Sequence, residues 1–290
     1  MTGSGAGSGA GKVILLGEHA VVYGHAALAG ALDRRVVVEA RPAERLSVEI
    51  PAWGIREAPE PMVRAISAIA ANLNVDTNVA LTVDAGVPAR AGLGSSAALA
   101  VAVTRALAPG KLSFDETEAI AGLAERAFHG NPSGVDVALA ARGGLGIFRR
   151  GAGLLPIAAR PLRLAIGLSG EPRDTAARVA DVAARRERDL EATDRILERL
   201  GQLAEGALLG DPAGLGERFD EAQLCLSALG LSSPGLDRLV ELARHAGAFG
   251  AKLTGAGGGG AAIACAAEPE AIVAAWTAAG FAAFVAEVGA

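Results

Sequence analysis

Ala89-Arg90-Ala91-Gly92-Leu93-Gly94-Ser95-Ser96-Ala97-Ala98-Leu99-Ala100 is the stretch on which the reading of the whole chain turns. Ahead of it, Leu81-Thr82-Val83-Asp84-Ala85 alternates between apolar and polar residues and reads as a half-buried strand. Behind it, Ala97 to Ala108 is a run of good helix formers that Pro109-Gly110 stops. The order is therefore strand, tight glycine turn, helix N-terminus. Glycines let a backbone approach a ligand closely, and the first N–H groups of a helix have no partner within it. Together with the positive end of the helix dipole, those donors make an anion site. Ser95 and Ser96 stand where a hydroxyl can cap the helix, touch a phosphate or bind a metal. A plain serine N-cap is the competing account of this stretch, and the rest of the chain has to decide between the two.

At 290 residues the chain has room for one large domain or two moderate ones. It is 51% hydrophobic and poor in aromatics, so its core must be built mainly from Ala, Val, Leu and Ile. Its net charge is −5 and its basic residues form no single tract: Arg185, Arg186 and Arg188 are interleaved with Glu187 and Asp189, as on a solvated helix face. Nucleic-acid binding has little support in that pattern. Cys225 and Cys265 lie far apart in apolar surroundings, which reads as buried thiols. No apolar run reaches membrane-spanning length and no export signal is visible, so a cytoplasmic location is the expectation. Met1 to Gly11, almost all Gly, Ser, Ala and Thr, reads as a flexible leader.

Lys12 to Leu16 reads as a buried strand, followed by Val36–Ala40 and Leu46–Ile50. Apolar spacing predicts a helix over Pro61–Leu73. Ser113 and Glu116 form a capping box that opens a helix to about Phe128. Gly143–Phe148 and Leu162–Leu168 read as strands, with a change of texture at residues 150–160 that suggests a domain boundary. The long amphipathic segment Arg173–Leu209 is expected to break near Gly201 or Gly206. Helices near Leu215–Leu229 and Gly235–Ala246 follow. Then come a strand at Ala251–Thr254, the glycine run Gly255–Gly260, a strand at Ala261–Ala266, a helix at Pro269–Ala279 and a last strand at Phe281–Val288. This order favours two α+β lobes over a doubly wound sheet.

Familiar nucleotide motifs do not fit. Gly11-Lys12 resembles the end of a Walker A loop, but Ala6 stands at the first glycine position and Val13 where Ser or Thr should bind magnesium. Gly92-Leu93-Gly94-Ser95-Ser96-Ala97 has Rossmann spacing, yet Asp115 opens a helix where a second strand should end. Phosphoryl transfer needs only backbone donors and a cation for the phosphates, oxygen ligands for Mg²⁺ and a group to orient the acceptor. The chain offers Lys12 on a strand, the Gly92–Ser96 turn, Glu125 near a helix end, Asp136 in a Gly/Pro-shaped loop and a second glycine run. Taken singly, each has an ordinary structural alternative, as do His19 and His129.

Taken together, these pieces resemble the GHMP kinase superfamily, which includes galactokinase, homoserine kinase, mevalonate kinase and phosphomevalonate kinase. Three motifs carry the resemblance: Lys12-Val-Ile-Leu-Leu-Gly-Glu-His-Ala-Val-Val-Tyr-Gly24, Gly92-Leu-Gly-Ser-Ser-Ala-Ala98 and Lys252-Leu-Thr-Gly-Ala-Gly-Gly-Gly-Gly260. The run from Gly17 to Gly24 and His129-Gly-Asn-Pro-Ser-Gly-Val-Asp136 resemble the mevalonate kinase branch in particular.

The resemblance implies a two-lobed α+β fold. After the leader 1–11 come an α/β N-terminal lobe with the phosphate loop, 12–160, and a helix-rich α+β C-terminal lobe, 161–290. It also implies ATP and Mg²⁺ as cofactors, mevalonate as the acceptor and phosphomevalonate as the nearest alternative; a homodimer is left open. Asp136 would face the acceptor hydroxyl with Lys12 as its partner. The Arg90-Ala91-Gly92-Leu93-Gly94-Ser95-Ser96-Ala97 turn would wrap the ATP phosphates. Ser96 and Glu125 would bind magnesium, and Glu18 and His19 would lie near mevalonate. Thr175 resembles a threonine that opens the first helix of the C-terminal lobe. Two departures stand out: Arg90-Ala91 replaces Gly-Ala at the start of the turn, and Ala26 replaces a proline common after Tyr23-Gly24.

Overall fold

The computed structural model describes residues 5–129, 134–207 and 209–289. The chain divides into two compact units whose segments interleave. The first holds the chain up to Lys12 together with Arg34–Ala89 and Gly94–Gly143; the second holds Val13–Asp33, Arg90–Leu93 and the chain from Gly144 onward. This differs from a single cut near residue 160. Two long strands, β1 (Gly5–Leu16) and β2 (Ala27–Pro42), each run through the point where the chain passes from one unit to the other. An unbroken strand offers no linker to mark such a crossing.

In the first unit β1 pairs with β2. The far half of β2 pairs antiparallel with β4 (Val79–Ala85), from Val36 opposite Ala85 to Pro42 opposite Val79, and the short β3 (Ser47–Glu49) adds in parallel. Helices α1 (Glu60–Leu73), α2 (Ser95–Leu107), α3 (Phe114–His129) and α4 (Val135–Arg142) pack on one another. The capping box is formed as expected: the Ser113 N–H donates to Glu116 Oε2 at 2.8 Å and the Glu116 N–H donates to Ser113 Oγ at 3.2 Å. Trp53 is anchored at the margin of this unit, its Nε1–H donating to the Val87 carbonyl at 2.9 Å.

The expected flexible leader is corrected here, because Gly5 to Gly11 form the first part of β1. Glycine has poor strand propensity, so its alternation with Ala and Ser gives no strand signal. Its value lies in the packing. A Cβ on Gly5, Gly7 or Gly9 would lie 2.9, 2.2 and 2.2 Å from the carbonyl oxygens of Ala106, Ala102 and Ala98. Strand periodicity of two meets helix periodicity of four at these positions, and the α2 backbone rests directly on β1.

In the second unit the near half of β2 pairs antiparallel with β5 (Leu145–Arg149), which turns back as β6 (Gly153–Ile157). The chain continues through β7 (Leu162–Leu168), α5 (Thr175–Arg188), α6 (Leu190–Glu205), α7 (Pro212–Ala228) and α8 (Pro234–His245). It closes with β8 (Gly250–Thr254), β9 (Ala261–Cys265), α9 (Pro269–Ala278) and β10 (Ala282–Val288). Antiparallel pairing orders these strands β10–β7–β9–β8. Trp276 is fully buried among them, and its Nε1–H donates to the Leu239 carbonyl at 2.8 Å.

Of the two expected break points, Gly206 is where α6 ends, as its C-cap, whereas Gly201 is not a break. Gly201 lies inside α6, buried, and the helices separate instead at Asp189, whose carboxylate accepts the Ala192 N–H at 3.1 Å. An Asp that caps the next helix ends the previous one more firmly than a glycine whose missing Cβ makes room for His25. Among the described residues no helix is long and apolar enough to cross a membrane.

The seam between β1 and α2 gives a direct test. Gly9→Val is expected to cost about 1–3 kcal/mol by overpacking, whereas Gly54→Ala, where nothing lies within 4 Å, is limited to its backbone strain. Urea unfolding of the two variants against the parent measures the difference.

Candidate active site

Ser95 and Ser96 begin α2, and neither caps it. The cap position belongs to Gly94, in the left-handed conformation at φ 74°, which has no side chain with which to cap the first N–H groups. The serine-cap account of this stretch is therefore set aside, and the first-turn donors stay available to an anion. Lys12 lies against this turn: a Cβ on Gly94 would come within 2.7 Å of Lys12 Cγ. Any residue but glycine would also be strained there.

The Lys12 ammonium is 3.2 Å from Asp136 Oδ1, with side-chain exposures of 5% and 27%. Lys12 is held by the end of the glycine-bearing part of β1, and Asp136 by the first turn of α4, behind Gly134 at φ 89°. The sequence expectation brought these two together from opposite ends of the unit, and the structure places them in contact. Glu125 is buried on α3, beside α2. Of the motif that ends in Asp136, Gly130 to Ser133 lie outside the described residues.

The second unit carries the remaining candidates. Glu18 and Lys252 form an ion pair in which both side chains are wholly buried. Burial pulls the Lys252 ammonium below its usual range, and Glu18 opposes that shift. Next to it, His19 adopts φ 58°, rare for a side chain of its size, and its Nε2 lies 3.0 Å from the Ala256 carbonyl. A carbonyl only accepts, so Nε2 carries the proton. Burial, aided by the Arg173 charge, pushes the His19 pKa down, so the ring is neutral at pH 7.

The run Gly255–Gly260 needs glycine for its backbone, since Gly255, Gly257, Gly258, Gly259 and Gly260 all have positive φ. Arg173 fills the space that a side chain on Gly92 would take, its Nη1 1.8 Å from where a Cβ would stand. It donates from Nη2 to Thr175 Oγ1 at 2.8 Å. Ala91 is buried, and its carbonyl oxygen would be 3.0 Å from a Cβ on Gly260. Leu93 is buried too, whereas Arg90 is exposed at φ 57°.

Within the first unit, the start of α2 fits a polyphosphate: Gly94 leaves room for a close approach, the first-turn N–H groups donate and Lys12 supplies charge. Ser96 and Glu125 are hard oxygen donors of the kind magnesium takes alongside phosphate oxygens. Among the described residues no cluster of three or more His, Cys, Asp or Glu could hold a metal. A divalent cation here would thus share its ligands with the nucleotide.

The family model described as GHMP kinases N terminal domain matches residues 61–144, and that described as GHMP kinases C terminal matches residues 190–282. The chain is 36% identical to the mevalonate kinase of Aeropyrum pernix, over 88% of this chain and 86% of that one. The chain belongs to the GHMP kinase family. This GHMP kinase is also 36% identical to the mevalonate kinase of Methanothermobacter thermautotrophicus, with 87% of each chain covered. The crystal structure of L. major mevalonate kinase in complex with R-mevalonate matches it with a TM-score of 0.89 at 28% identity, over 99% of this chain and 98% of that one. Both protein relatives carry the mevalonate kinase name, and the phosphomevalonate kinase alternative is not favoured.

Sequence reasoning did not foresee that Glu18 pairs with Lys252, or that Arg173 lies on Gly92. The first had a signal: Lys252 is the one charged residue in the otherwise uncharged strand Gly250–Thr254, and a charge in a buried strand needs a partner. The second had none, because an arginine ahead of a helix looks like any surface cation. Removing one member of the buried pair, as in Glu18→Ala, is expected to destabilise this GHMP kinase by about 3–5 kcal/mol. Replacing both together, Glu18→Met with Lys252→Met, is expected to cost less. Urea titrations of the single and double variants check the ordering.

Proposed function

We propose that this GHMP kinase transfers the γ-phosphoryl group of ATP to the C5 hydroxyl of (R)-mevalonate, giving 5-phosphomevalonate, with Asp136 and Lys12 at the reacting oxygen. The observation that carries the assignment of roles is the 3.2 Å Lys12–Asp136 pair, set against the uncapped start of α2. Asp136 orients the acceptor hydroxyl and takes its proton. Phosphoryl transfer passes through a loose transition state, so little deprotonation is required early and an aspartate suffices. Lys12 holds Asp136 in place and offsets negative charge where the phosphoryl group passes. The N–H groups behind Gly94 stabilise the phosphate oxygens without reorganising. Magnesium, held by Ser96 and Glu125 together with phosphate oxygens, would supply further charge neutralisation.

Glu18 serves the acceptor through the loop it anchors, because its carboxylate is committed to Lys252. His19 presents its ring from that loop. Its neutral, Nε2-protonated form leaves Nδ1 as an acceptor, suited to a hydroxyl and not to a carboxylate.

Asp136→Asn is expected to keep ATP affinity while losing kcat by on the order of 10³-fold. A coupled ADP-release assay with mevalonate, phosphomevalonate, galactose and homoserine tests both the role and the acceptor. Near-parent turnover in the variant removes Asp136 from its role, and turnover on another alcohol in place of mevalonate overturns the acceptor. Glu125→Gln is expected to raise the magnesium concentration for half-maximal rate by at least about 10-fold, read from the same assay across a magnesium series.

A further inference from the structure

Of the run from Gly17 to Gly24, the chemistry proposed above uses only Glu18 and His19, and the end of the run is left without a role. Ala20–Tyr23 form a short 3₁₀ turn. The Val22 N–H donates to the His19 carbonyl at 2.9 Å and the His25 N–H donates to the Ala20 carbonyl at 3.2 Å. These bonds stiffen the segment, so His19 keeps its place only if Tyr23 and His25 keep theirs. At its start the segment is fixed by Glu18 on Lys252 and His19 on Ala256. Its other end is held by α5 and α6, within the same unit.

Tyr23, the one tyrosine of the chain, presents its ring to Arg186 of α5, whose guanidinium carbon stands 5.3 Å from the ring centroid. Arg186 is itself oriented by Asp194 of α6, which accepts from Nε and, at 2.9 Å, from Nη2. A two-point pair of this kind fixes the plane of the guanidinium as well as its position. Hydrogen bonding to Arg186 keeps the Asp194 carboxyl below its usual range, and the nearby His25 adds to that. Further along the same face of α6, Gly201 is buried against His25: a Cβ there would lie 2.7 Å from His25 Cβ. Glycine is among the poorest residues for a helix interior and alanine the best. At Gly201 the helix forgoes that propensity and admits the close approach of His25.

We propose that Tyr23, Arg186 and Gly201 are positioning residues for the acceptor alcohol: through them α5 and α6 fix the turn that carries His19, and so set acceptor affinity without touching the reacting groups. This rests on the reading above that His19 lies near the acceptor. A surface ion pair contributes little to stability. The effect of the Tyr23–Arg186–Asp194 cluster is therefore geometric, and a misplacement of about 1 Å is enough to cost on the order of 10²-fold in rate.

Steady-state kinetics of the full chain, varying mevalonate at saturating ATP and then ATP at saturating mevalonate, tests the proposal. Tyr23→Ala, Arg186→Gln and Gly201→Ala are each expected to raise KM for mevalonate at least about 10-fold and to leave KM for ATP at the parent value. Tyr23→Phe keeps an aromatic face for Arg186 and is expected to recover most of what Tyr23→Ala loses. In Gly201→Ala the new residue favours the helix while its methyl group displaces His25. Tyr23 and Arg186 are only part-buried, so their variants keep the test open should Gly201→Ala fail to fold. Amide exchange supplies a readout that needs no turnover: the Val22 and His25 N–H groups are expected to exchange faster in the three variants than in the parent. An unchanged KM for mevalonate in the three variants overturns the proposal. Equal rises in both KM values overturn it too, since they mark a general loosening, as does unchanged exchange at Val22 and His25. If the parent phosphorylates another alcohol of the panel above in place of mevalonate, the acceptor assignment fails alone and the same comparison is made on that alcohol.

Discussion

The contact on which the first unit depends is backbone against side-chain-free backbone: β1 presents glycine at alternate positions and α2 lies on it. Helices usually stand off a sheet by the depth of interleaved side chains. Here the strand contributes none at Gly5, Gly7 and Gly9, and the helix contributes alanines. The gain is positional. Lys12 follows the glycine positions on the same strand, and the start of α2 lies at the same end of the seam. The cation and the N–H donors are thus fixed relative to one another by regular elements instead of by loops. That rigidity is what charge stabilisation in phosphoryl transfer requires, since donors that must first reorient give back much of what they stabilise.

The second unit solves a related problem by opposite means. Its glycine run has no regular structure to hold it, and five positive-φ residues give it many alternative paths. The Gly258 N–H bonds the Leu231 carbonyl and the Gly260 carbonyl accepts from Ser169 N–H, and the loop after β1 adds two long-range contacts: Glu18 to Lys252 ahead of the run and His19 to Ala256 within it. A buried ion pair adds little net stability relative to a well-packed apolar pair. Its worth lies in geometry, because neither charge tolerates being left alone and so the two segments cannot drift apart cheaply.

Much of this was legible in the amino-acid sequence, and what was not has a common cause. Elements with their own periodicity or caps, such as α1, α3 with its Ser113–Glu116 box, and α7 to β10, could be read within a few residues of their observed limits. The Lys12–Asp136 pairing was legible only through resemblance, since no local rule links residues so far apart. The glycine-rich start read as unstructured because its strand character comes from a helix about ninety positions later, not from propensity. The break at Asp189 was missed because glycine drew attention from a capping aspartate. The interleaved units were invisible for a geometric reason: β1 and β2 run through the division as unbroken strands, with no loop or linker to mark it.

The two tryptophans of this chain fall one to each unit, and that gives an optical handle on its cooperativity. Trp276, wholly enclosed, should emit at short wavelength and resist a collisional quencher, while the half-exposed Trp53 should emit further to the red and be quenched readily. Selective quenching therefore separates their signals without any label. Coincident emission changes during denaturation would mean that the units melt as one body, and staggered changes would show which lets go first.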